Sequence, residues 1–145
     1  MRITIVGILA MSAAACGDSQ TPEAQVRATI AAIEAGAEAR DVGDVMEHVS
    51  EQFRDGYGRD GKELSQYVRG YFIANQSIHL LSRIESIEFP TPDEARAKVT
   101  VGMVGREAAA ANAWNLAADV YHFDVTFMRE DGQWKVTHAK WRDGR

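Results

Sequence analysis

The sequence predicts an α+β fold: three N-terminal helices packed on a curved antiparallel sheet. Two observations predict it. Between Thr21 and Asn75, apolar residues recur at spacings of three and four, the period of a helix with one buried face. From Ile78 onward the period changes to two, the pattern of strands with one buried side. All helical segments precede all strand segments, which is an α+β order and not the alternation of a parallel sheet. The 145 residues accommodate one such domain, over residues 21–145. Hydrophobic residues at 46 % and charged residues at 26 % supply an ordinary core and surface without disulfides.

The first helix opens at Thr21-Pro22-Glu23. The hydroxyl caps free amides, the proline sits where no amide is needed, and the acid meets the positive helix end. Val26, Ile30, Ile33 and Ala37 form its apolar face, which leaves Arg27, Glu34 and Glu38 off that face. Asp41 caps a short second helix striped by Val42, Val45, Met46 and Val49. Residues 54–61 are glycine-rich, but they lack the spacing of a nucleotide loop and no apolar strand precedes them, so they read as a turn. Asp60 and Glu63 have the capping-box spacing. Leu64, Tyr67, Val68, Tyr71 and Phe72 stripe the third helix, and Asn75 ends it. Four strands follow, at Ile78–Phe89, Ala95–Val104, Trp114–Arg129 and Gln133–Trp141. Pro90-Thr91-Pro92-Asp93 and Asp131-Gly132 are turns, and residues 105–113 are a connection.

Charge excludes one class of function. There are 16 Lys and Arg against 21 Asp and Glu, a formal charge of -5. Nucleic-acid binding needs clustered cations, and none appear, so no nucleic-acid partner is expected. The same acidity opposes a broad electrostatic hold on anionic lipid.

The N-terminus carries an address. Met1-Arg2 is a positive start, Ile3–Met11 is uncharged and mostly apolar, and Ser12-Ala13-Ala14-Ala15 is a run of small residues before Cys16. Together residues 1–15 read as a secretory signal. The apolar run falls short of the roughly 20 residues that span a bilayer as a helix. A buried N-terminal strand is the alternative, but it leaves the small residues and Cys16 unexplained. Ala13-Ala14-Ala15-Cys16 resembles the bacterial lipobox, with Ala13 where that pattern usually has Leu. The resemblance implies that Cys16 becomes a lipid-modified N-terminus and a membrane anchor, with residues 16–20 as its tether. Gly17, where an Asp would favour the inner membrane, implies the periplasmic face of the outer membrane in a Gram-negative cell. Two or three acyl chains anchor stably where one does not.

The order of elements, Asp41-Val42-Gly43-Asp44, Phe53, and the closing Asp131-Gly132-Gln133-Trp134-Lys135-Val136-Thr137-His138 resemble the nuclear transport factor 2-like superfamily over most of residues 22–142. The resemblance implies a cone-shaped fold, a pocket between the concave sheet face and the helices, and homodimers through the sheet. It does not fix a function, because the fold hosts isomerases, dehydratases, cyclases and non-enzymes. Its enzymes use an Asp or His base with a Tyr or other donor, as proton abstraction beside a developing oxyanion requires.

By alternation Trp134, Val136 and His138 share a face, as do Asp119, Tyr121 and Phe123. With both faces inward, the candidate catalytic residues His138, Asp119 and Tyr121 meet Tyr67 and Tyr71. The expected pocket lining is then Tyr67, Tyr71, Tyr121, Phe123, Trp134 and His138. The same aromatics sit at core spacing, and packing is the stronger reading of them, with His138 half-buried and satisfied and Asp119 solvated. His122, Asp124 and Thr126 on the opposite side, beside Lys135 and Thr137, read as a solvated face. Four scattered His and one Cys give no metal-ligand spacing, and no cofactor motif appears. The resulting expectation is an envelope lipoprotein whose domain binds a small apolar ligand or a protein partner. The alternatives are a small lyase or isomerase using His138 and Asp119, and a structural dimer module.

Overall fold

A computed structural model describes residues 21–103 and 119–144. The signal, Cys16, the connection at residues 105–113 and the expected start of the third predicted strand lie outside the described residues. Helix α1 (Pro22–Glu38) begins where the Thr21 hydroxyl accepts the Ala24 amide. Helix α2 (Val42–Met46) begins where Asp41 accepts the Asp44 amide. Strand β1 (Val49–Asp55) follows, then helix α3 (Gly61–Ala74), closed at its start by a reciprocal capping box between Asp60 and Glu63. Strands β2 (Leu80–Thr91), β3 (Glu94–Met103), β4 (Asp119–Glu130) and β5 (Gln133–Asp143) complete the chain.

The sheet order is β1-β5-β4-β3-β2. The four expected strands pair antiparallel as a meander. The fifth strand is a correction: β1 pairs parallel with β5, so the sheet is mixed at that edge. The predicted second helix therefore stops at Met46, and Val49 belongs to the strand. Its period was hidden by a bulge: Val49 faces Val136 but Arg54 faces His138, so five residues of β1 oppose two steps of β5. Only Val49 and Phe53 in β1 are large and apolar, and Phe53 is fully buried.

The core lies between α1 and the sheet. Val26 and Ile30 pack on Phe53, Ala95, Ala97, Val99, Phe127, Trp134 and Val136. A smaller cluster of Val45, Phe72 and Ile78 joins the three helices to the sheet's start. Each large side chain of this kind contributes about 1.5–3 kcal/mol by leaving water.

A second bulge governs the site. In β5 Val136 faces Phe127, while His138 faces Thr126, so Thr137 is an extra residue. Alternation restarts after it. Val136 points to the concave side, but so do Ala139 and Trp141, which carry the odd numbers.

A cavity between the helices and the concave sheet

The concave face and the helices do not close fully on each other. They leave a cavity of about 310 Å³, walled by α1 at Ile30, Ile33, Glu34 and Ala37, and by α3 at Leu64, Tyr67, Val68 and Tyr71. Val99, Val101, Met103, Tyr121, Phe123 and Trp141 form its floor. These positions follow from register: Val99 lies beside Phe123, which lies beside Trp141, one strand apart each time. The three rings of Tyr121, Phe123 and Trp141 form a continuous row, with successive centroids 6.4 and 6.0 Å apart.

Polar groups on this wall are few. The Tyr71 hydroxyl donates to the Met103 Sδ, a weak acceptor. Burial pushes its pKa up to about 12, with further contributions from Tyr121, Asp119 and Tyr67, so it stays a neutral donor at ordinary pH. Glu34 enters from α1. Burial raises its carboxyl above the usual range. A hydrogen bond with Ser82 on β2 opposes this, and the charge of Glu38 one turn on adds to it. Its Oε1 is buried without a hydrogen-bond partner among the described residues.

The wall's aromatic end is braced from outside. The Arg59 guanidinium lies 4.7 Å from the Tyr67 ring centre, 5.1 Å from Trp141 and 5.3 Å from Tyr57. Cation–π attraction holds the rings around it. Asp55 fixes that cation. Its side chain is fully buried, takes Arg59 Nε on Oδ2 at 2.5 Å, and accepts the Tyr57 and Arg59 amides on Oδ1 at 2.8 and 2.9 Å. The glycine-rich turn makes this convergence possible, because Gly58 adopts a φ of 81°, open to a residue without Cβ.

Of the residues predicted from sequence, Tyr67, Tyr71, Tyr121 and Phe123 line the cavity. Trp134 does not. It is buried in the core beside α1, where its Nε1 donates to Gln25 at 3.1 Å and its ring packs on Phe89 and Arg129. His138 does not either: the Thr137 bulge turns it to the outer face, exposed beside Thr126 and Lys140. Asp119 is exposed at the start of β4, near Tyr71. It lies seven residues along β4 from the partner of His138, about 23 Å at the strand rise. The structure therefore does not bring His138 and Asp119 together.

Glu34 and Trp141 are among the lining residues that sequence reasoning did not name. Glu34 follows Ile30 by one helical turn and Ile33 by one residue, so spacing alone places it at the edge of the apolar face. A charged residue is assigned to solvent by default, and that default hid it. Trp141 was hidden by the bulge. Among the described residues no group of three His, Cys, Asp or Glu is close enough to hold a metal.

No family model matches this chain, and neither does any curated protein. Solved structures do match. A protein from Thiobacillus denitrificans, provisionally assigned as a calcium/calmodulin-dependent protein kinase type II association domain, superposes with a TM-score of 0.67 at 16% identity, over 86% of this chain and 96% of that one. An NTF2-like protein of unknown function from Shewanella baltica gives 0.61 at 10% identity, over 83% and 92%. A ketosteroid isomerase-like protein from Erwinia carotovora gives 0.63 at 11% identity, over 84% and 95%. Helices on a curved, open five-stranded sheet and these likenesses together establish the nuclear transport factor 2-like fold for this chain.

Proposed function

We propose that this chain is an envelope lipoprotein, anchored through Cys16, whose domain binds a small apolar molecule in the cavity between the helices and the sheet. The observation that carries the binding reading is the cavity itself: about 310 Å³, floored by Val99, Val101, Tyr121, Phe123 and Trp141. That volume lies at the lower end of ligand pockets, which run from about 300 to 1,000 Å³. A cavity lined this way stays poorly hydrated, so an apolar guest displaces little well-bound water.

The test uses the chain carrying Cys16→Ser, which needs no detergent to compete for the cavity. N-phenyl-1-naphthylamine, a fluorophore that brightens in apolar surroundings, should bind saturably and raise the melting temperature. Val101→Phe fills the floor and should weaken binding about tenfold or more, about 1.4 kcal/mol, while keeping the fold. Saturable binding that Val101→Phe leaves unchanged would place the probe elsewhere. Failure of this probe and of a hydrophobic ligand library to bind would reject the reading.

A further inference from the structure

We propose that the ligand carries a hydrogen-bond donor, a hydroxyl or a protonated amine, and sets it on the Glu34 carboxyl inside the cavity. This rests on the binding reading above and narrows it to a ligand class. The first observation is the Glu34 Oε1, a buried acceptor with no partner among the described residues. An unsatisfied buried acceptor costs the full desolvation of the group, and a ligand donor met by a turn of the Glu34 carboxyl toward the cavity would restore it. Helix α1 carries Glu34 between Ile33 and Ala37 on the cavity wall, with Ser82 of β2 near its carboxyl.

The second observation is the charge around it. Among the described residues that line the cavity there is no Lys, Arg or His. Arg59, just outside, is bound to Asp55. Glu38, one turn along α1, is fixed by accepting the Leu80 amide at 2.8 Å, and adds negative charge beside Glu34. Among the described residues an anionic guest would therefore meet the Glu34 carboxyl without a counter-charge, whereas a donor or a cation meets an acceptor.

The third observation is length. Ser82 on β2 lies directly beside Val101 on β3, and Val101 lies beside Tyr121 on β4. Two strand spacings put the aromatic row about 10 Å from the Glu34 side. A guest with its polar head at Glu34 would thus lay an apolar body across Tyr121 and Phe123. The geometry fits a short amphiphile with a neutral or cationic head.

Four probes of one chain length test this by displacing N-phenyl-1-naphthylamine from the Cys16→Ser chain: octanol, octylamine, octanoate and methyl octyl ether. Octanol or octylamine should bind about tenfold or more tighter than the ether, which has the same body and no donor, and tighter than octanoate. Glu34→Leu should bring all four within about threefold of one another, with ether binding retained. Glu34→Gln keeps a neutral acceptor and separates the two sources. A preference for octanol that survives in it assigns a hydroxyl, and a preference for octylamine that it abolishes assigns an amine. Should Glu34→Leu misfold, the four wild-type affinities still decide. Ether equal to octanol and octylamine, or octanoate tightest, would overturn the donor inference while leaving the cavity reading intact. Absence of binding by all four and by the fluorophore would overturn both.

Discussion

Asp55 shows how much a single side chain carries in this protein. A buried carboxylate is costly unless it is hydrogen-bonded and paired. Here burial pushes the Asp55 carboxyl up, but the Arg59 amide, the Arg59 guanidinium and the Tyr57 amide outweigh it, and the result lies below the ordinary value. The sign for stability follows. A carboxyl lowered in the folded state adds stability that is complete above its unfolded pKa, about 3.9, and is lost as pH falls through the folded value. Asp55→Asn keeps the shape but gives up the charge and one acceptor. It should cost about 1–3 kcal/mol at neutral pH. The gap to wild type should narrow as the pH falls below about 4, since the wild-type carboxyl then protonates too. Urea midpoints at neutral pH and near pH 3 check this. A gap that widens on acidification would mean that the native carboxyl is already protonated at neutral pH.

At the level of elements, the helices were legible because their signals are local. Thr21, Asp41 and Asp60 each cap the helix that their spacing announced. The meander of β2 to β5 was legible because alternation and the Asp131-Gly132 turn are local as well. What the sequence hid is non-local. β1 is a strand because β5 returns beside it from more than 80 residues away, and no window of seven residues contains that fact. The Thr137 bulge is likewise set by pairing, and one extra residue sends His138 outward and Trp141 inward. Thus the cavity was legible where alternation ran undisturbed, at Tyr121 and Phe123, and illegible past the bulge.

Helix α3 forms one wall of the cavity, with Tyr67, Val68 and Tyr71 toward it and its other side in solvent. Its start depends on Asp60, which accepts the Glu63 amide at 2.9 Å while Glu63 accepts the Asp60 amide at 2.9 Å. Asp60→Ala removes the cap and should cost about 1 kcal/mol, a few degrees in thermal midpoint for a domain of this size. Asp60→Asn keeps the accepting oxygen and should cost much less. Equal losses in the two variants would show that the Asp60 charge, and not its cap, holds the helix start.

Over the whole molecule the chain is acidic in sum, yet the outer sheet carries a group of cations. Register places Arg83, Thr100, His122 and Arg142 in one row across the outer sheet, and Ser86, Lys98, Asp124 and Lys140 in the next. The helical side carries Glu23, Glu38, Asp41, Asp44 and Glu47 together with Arg27, Arg40, Lys62 and Arg69. A negative membrane surface would attract the cations of these outer rows but repel the chain as a whole, whose net charge is -5. No helix among the described residues is long and apolar enough to cross a membrane. The proposal above gives attachment to a lipid on Cys16. A tether of residues 16–20 reaches at most about 18 Å, roughly two Debye lengths at physiological salt, so charge on the domain acts weakly across it. Cys16→Ser should then move the protein from the membrane pellet to the soluble fraction at about 0.15 M salt. It should stay soluble at about 0.01 M, where screening extends to about 30 Å and any residual attraction of the outer face would show itself. Pelleting of the variant at low salt alone would assign a membrane contact to Arg83, Lys98, Lys140 and Arg142. Retention at both salt concentrations would show that attachment does not depend on Cys16.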